Sequence, residues 1–177
     1  MSNSDHVIAC DIPPASLLDR RIIDAAYFRD SYSAPLSRPD ASVVDLFFAL
    51  FGHHPAAVKL ALITRNRIAA LCGLDVPTAS EIRNPEIKSI YRVGDNIGPW
   101  PIFALSETEL IAGRDNKHLD FRLSVLKVPA NGPANVIVST VCTVHNLSGK
   151  IYLFFIIPFH KWGVKRLITN AIRSGRL

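Results

Sequence analysis

Lys117-His-Leu-Asp-Phe-Arg-Leu-Ser-Val-Leu-Lys-Val128 alternates apolar and polar residues over most of its length. Leu119, Phe121, Leu123 and Val125 fall on one side and His118, Asp120, Arg122 and Ser124 on the other, the period of two of a half-buried β-strand. Pro129-Ala-Asn-Gly-Pro-Ala-Asn135 follows. It is turn chemistry, with Asn131-Gly132 able to take positive φ, and it leads into a second strand over residues 136–146. A hairpin centred there sets His118 opposite His145, Asp120 opposite Thr143 and Ser124 opposite Ser139. The polar positions of the two strands therefore coincide.

Asn146-Leu-Ser-Gly149 reads as a second turn, and residues 150–157 as a third strand that places Tyr152 opposite Thr143 and Phe154 opposite Val141. One face then carries His118, Asp120, Arg122, Val141, Thr143, His145, Tyr152 and Phe154. These are the candidate ligand-binding residues, a few convergent polar groups in an apolar wall. The other face, including Phe121, Leu123, Val125, Cys142 and Leu153, is almost wholly apolar. A slip of one residue in either hairpin would turn a whole strand over.

Outward from this centre the pattern becomes helical. Ser42 caps a helix whose stripe is Val43, Leu46, Phe47, Leu50 and Phe51, with Asp45 as a short capping-box acid and Gly52 as its end. Pro55 opens a second helix that closes at Gly73. Residues 22–33 fit a strand or a short helix. Residues 102–105 and 109–113 form a hairpin across Ser106-Glu-Thr-Glu109. Pro158 ends the last strand, and residues 159–173 form an amphipathic terminal helix. Strands segregated from helices give an α+β class: a curved antiparallel β-sheet wrapped around a long C-terminal helix, with two short helices near the N-terminus. The 177 residues suit one domain over 1–177, with 1–20 as an extended lead-in.

Apolar residues make up 49% of the chain and charged residues 20%, which are globular values. Three widely separated cysteines, Cys10, Cys72 and Cys142, form neither a disulfide framework nor a zinc ribbon. The N-terminal segment lacks the basic and long apolar regions of a signal peptide, and the apolar run 151–157 is far shorter than a bilayer requires, so a cytoplasmic protein with no membrane span is expected. The formal charge of +5 is scattered, with no interleaving of basic and aromatic residues, and no nucleic-acid partner is expected. A strand apolar on both faces at 151–157 fits a central strand covered on both sides, with a homodimer through an apolar sheet face as the rival reading.

Val93-Gly-Asp-Asn-Ile-Gly-Pro99, His118-Leu-Asp-Phe-Arg122, Thr140-Val-Cys-Thr-Val-His-Asn146, Gly149-Lys-Ile-Tyr152 and Pro158-Phe-His160 resemble a bacterial family catalogued only as a domain of unknown function. In its order of elements that family is similar to the START/polyketide-cyclase-like (SRPBCC) superfamily. The resemblance spans residues 24–174 and implies a helix-grip fold with a ligand cavity between sheet and C-terminal helix.

The function expected from these readings is binding of a small hydrophobic or amphipathic molecule in that cavity, with no cofactor. The first alternative is a cyclase, dehydratase or isomerase acting on a carbonyl compound, in which Asp120 or His118 moves a proton and Arg122 holds an oxyanion. The second is a metal site of two histidines and one carboxylate, His118, Asp120 and His145.

Overall fold

The computed structural model describes residues 7–53, 88–128 and 134–177. Among them, in chain order, are β1 (Ile8–Ala9), α1 (Arg20–Asp24), β2 (Phe28–Pro35), α2 (Val43–Phe51), β3 (Asn96–Ile97), β4 (Trp100–Leu105), β5 (Glu109–Asp115), β6 (Leu119–Val128), β7 (Asn135–Val144) and α3 (Leu147–Arg173). The helix expected from Pro55 to Gly73 and the turn residues 129–133 lie outside the described residues.

The central hairpin has the expected register: Asp120 faces Thr143 and Ser124 faces Ser139 across β6 and β7. Beyond the last pair, the His145 amide donates to the His118 carbonyl at 2.9 Å. β4 and β5 form the expected neighbouring hairpin. Residues 22–33 resolve into both alternatives, the end of α1 followed by most of β2. β2 pairs with β7, so the curved antiparallel sheet of seven strands runs β1-β2-β7-β6-β5-β4-β3. An early strand thus lies beside the last one, a long-range pairing that no local turn encodes.

The third strand expected over residues 150–157 does not exist. Those residues belong to α3, which begins at Leu147 and runs through Pro158 to Arg173. Asn146-Leu-Ser-Gly149 is a helix start rather than a hairpin turn: the Asn146 side chain accepts from the Gly149 amide at 3.1 Å and donates to the Lys117 carbonyl at 2.8 Å. Gly149 is needed because a Cβ there would strike the His118 carbonyl oxygen. Pro158 removes one helical hydrogen bond, and it sits on the exposed side, where the orphaned carbonyl can reach water.

α2 forms as its sequence dictates. The Ser42 hydroxyl accepts from the Asp45 amide at 3.1 Å, and the Asp45 carboxylate accepts in return from the Ser42 amide. Gly52 closes the helix. Its stripe buries Leu46, Phe47 and Leu50 against Leu123, Val125 and Val138 of the sheet and Ile168 of α3. Burying each such side chain contributes roughly 1.5–3 kcal/mol. The first half of α3 packs Tyr152, Leu153 and Ile156 on Phe28, Leu119 and Cys142 of the same sheet face.

Residues 12–26 cover the opposite face, where Leu18 and Ile23 meet Ile111 and Val141. Glu109 pins this cover to the sheet. Fully buried, its carboxylate accepts from the Ser16 hydroxyl at 2.6 Å, the Leu17 amide at 2.5 Å and the Ser124 hydroxyl at 2.5 Å.

Candidate functional site

The hairpin brings Asp120, Arg122, Thr143 and His145 to one end of the sheet, as the alternation requires. Asp120 accepts from His145 Nε2 at 3.0 Å and from the Asn116 amide at 3.3 Å. The Arg122 guanidinium pairs with both oxygens of Asp115, donates to the Phe121 carbonyl at 2.9 Å and stacks 3.6 Å from the Phe103 ring centre. Gly113, opposite Arg122, leaves no space for a side chain: a Cβ there would strike the Phe121 carbonyl oxygen and crowd Arg122 Cδ. His118 Nδ1 lies 3.1 Å from the Asn146 side-chain oxygen. Each charged group of the cluster therefore has a partner from within the fold.

Two of the expected site residues are elsewhere. Tyr152 is buried on the other sheet face, and Phe154 stands 72% exposed on the outer side of α3. Both were placed by the strand that proves to be helix. Val141 is on the expected face but lies beneath Leu18 and Ile23. The polar face is thus not the one that α3 covers.

The chemistry of the two alternatives changes with this geometry. Arg122 cannot serve a substrate oxyanion without giving up Asp115 and Phe103. His118, Asp120 and His145 do not form a triad, because His118 turns to Asn146 while His145 turns to Asp120. Among the described residues no group of three or more His, Cys, Asp or Glu side chains could hold a metal ion.

A second polar group lies between the sheet and α3. On β2, Phe28, Asp30 and Tyr32 alternate onto the helix-covered face, while Ser31 points away to bond Ser139 at 2.8 Å. Asp30, with its side chain 9% exposed, faces Thr140 across β2 and β7, and its Oδ1 is 3.3 Å from His160 Nε2 on α3. Neither Asp30 Oδ2 nor Thr140 Oγ1 has a hydrogen-bond partner, although both are buried. An unpaired buried polar group of this kind costs roughly 1–3 kcal/mol.

Rings and cations close over this pair. The His160 ring meets Phe28 edge-on at 5.5 Å, Lys161 Nζ stands 5.7 Å from the Phe28 centroid, and Lys165 Nζ 5.3 Å from that of Tyr32. The Tyr32 phenol is pushed up to about 12, first by burial and then by the charge and hydrogen bonding of Asp30. The phenol therefore lies near the Asp30 carboxylate, yet Oδ2 has no partner at ordinary hydrogen-bond distance and angle.

Sequence reasoning passed over Asp30, Tyr32, Thr140 and His160 as a group. The local signal was present in Phe28-Arg-Asp-Ser-Tyr32, an alternating segment with a carboxylate on its aromatic side. What joins it to Thr140 and His160 is pairing across more than a hundred residues.

The family described as "Protein of unknown function (DUF2867)" matches residues 22–167. No curated protein and no solved structure matches the chain.

Proposed function

The chain belongs to the DUF2867 family, whose description assigns no activity, and from that premise we propose that it binds a small amphipathic molecule between the sheet and α3. The observation that carries this reading is the pair of buried, unpartnered oxygens, Asp30 Oδ2 and Thr140 Oγ1, on the sheet face beneath His160. A ligand donor that reached these oxygens would remove that cost.

The missing partner is a hydrogen-bond donor, because a carboxylate oxygen only accepts. The ligand head is accordingly a hydroxyl or an ammonium group. Its apolar part lies toward Phe28, Cys142 and Ile156. A carboxylate head would face the charge of Asp30. The resemblance to helix-grip proteins supports the same location, although the residues are not those expected from the strand pattern.

Native mass spectrometry of the protein as purified, compared with its denatured mass, tests for a bound organic molecule. Thermal-shift titration with 1-decanol, decylamine and decanoate then tests the head group. The alcohol or the amine should raise the melting temperature, and Asp30→Ala should abolish the rise. An apo mass together with no shift from any of the three compounds would sink the reading.

A further inference from the structure

The outer face of α3 is exposed and largely apolar. From its first turn onward, Leu147, Ile151, Phe154, Phe155, Phe159 and Trp162 are between 44% and 72% exposed. At 100° per residue they fall on one side of the helix, opposite the buried Leu153, Ile156, Val164 and Leu167. Lys150 and Arg166 are also exposed at the margin of this stripe; Lys161 and Lys165 are exposed too, at the margin nearer the sheet, where their ammonium groups approach Phe28 and Tyr32. There is no Asp or Glu anywhere from Leu147 to Leu177.

We propose that this face of α3 docks the protein, without spanning, onto an anionic lipid surface. The pattern is that of an interfacial helix: large apolar and aromatic side chains for the boundary between headgroups and acyl chains, basic side chains for the phosphates, and nothing that phosphates would repel. No helix among the described residues is long and apolar enough to cross a membrane. The helix therefore lies in the surface plane, its inner side held by the sheet.

Charge decides between this occupant and a second copy of the chain. Two such faces brought together would oppose lysine to lysine with no acid to separate them, whereas an anionic bilayer complements every charge on the face. The inference holds whether or not a ligand occupies the space around Asp30.

Flotation with vesicles of equimolar phosphatidylcholine and phosphatidylglycerol, against vesicles of phosphatidylcholine alone, tests it. The protein should float with the anionic vesicles only, with a blue shift of Trp162 emission that Trp162→Phe removes. Phe154→Ser with Phe159→Ser alters only exposed side chains and should weaken partitioning roughly tenfold or more. Raised salt should release the wild-type protein. Failure to float with anionic vesicles, flotation untouched by the double substitution, or a dimer in sedimentation velocity that the double substitution dissociates would each overturn the proposal.

Discussion

Asp120, Arg122, Asp115 and His145 at one end of the sheet, and Asp30, Thr140, His160 and Tyr32 beneath α3, each set an aspartate against a histidine and differ in how their hydrogen bonds close. In the first group each charge meets a partner within the fold, and Asp115 and His145 keep contact with water, with side chains 50% and 43% exposed. In the second, Asp30 is nearly buried and two oxygens find nothing. A satisfied polar network positions strands; an unsatisfied one is held open by the packing around it. Titratable residues on one strand face are therefore weak evidence of a site, and the account of their partners is stronger evidence.

The sharpest way to break this contrast is to remove the arginine. Arg122→Leu removes the nearly buried guanidinium's bonds to Asp115 and the Phe121 carbonyl and empties the stack on Phe103, and urea titration should show a loss of roughly 2–3 kcal/mol with little change in ligand response. If ligand binding disappeared while stability held, the assignment of the two regions would have to be exchanged.

Tyr32 tests the second region through pH. A phenol raised from 10 to about 12 is protonated in the folded state where the unfolded chain has begun to ionise. Its stabilisation is complete below pH 10 and is lost as the pH rises toward 12. By urea titration wild type should lose roughly 2 kcal/mol more than Tyr32→Phe across that window. Equal slopes would show that burial and Asp30 do not act on this phenol.

A smaller effect of opposite sign is expected at Thr140. Thr140→Val keeps the shape and removes an orphaned hydroxyl, so the ligand-free protein should gain about 1 kcal/mol while its response to decanol falls. A destabilised variant would mean that the hydroxyl is satisfied after all. Least affected is His145→Ala, expected to cost under about 1 kcal/mol in chemical denaturation because the pair with Asp120 is half exposed. A larger loss would mark that pair as a structural lock.

The residues of the central hairpin specify their own pairing. Alternation on β6, turn formers at Asn131-Gly132 and apolar-polar matching on β7 leave one register that keeps Leu123 and Val125 on the dry side, and that register is found. The capping box at Ser42 and Asp45 was legible for a similar reason, since both partners lie within one turn of backbone. The start of α3 was not. Ile151-Tyr-Leu-Phe-Phe-Ile-Ile157 is apolar at nearly every position, and periodicity cannot separate a strand from a helix in such a run. Pro158 pointed to an end because its exposed setting, which makes it tolerable within a helix, exists only after α3 has docked on the sheet.

By itself the sequence determined the elements whose signals are local: the β6–β7 hairpin, its neighbour β4–β5, the capped helix α2 and the amphipathic character of residues 159–173. Tertiary structure alone decided that β2 pairs with β7, that α3 covers the dry face while residues 12–26 cover the other, and that Asp30, Thr140 and His160 meet. The reason is physical. A turn or a cap is stabilised by contacts within a few residues, whereas which face a helix buries depends on the summed apolar area of segments distant in the chain.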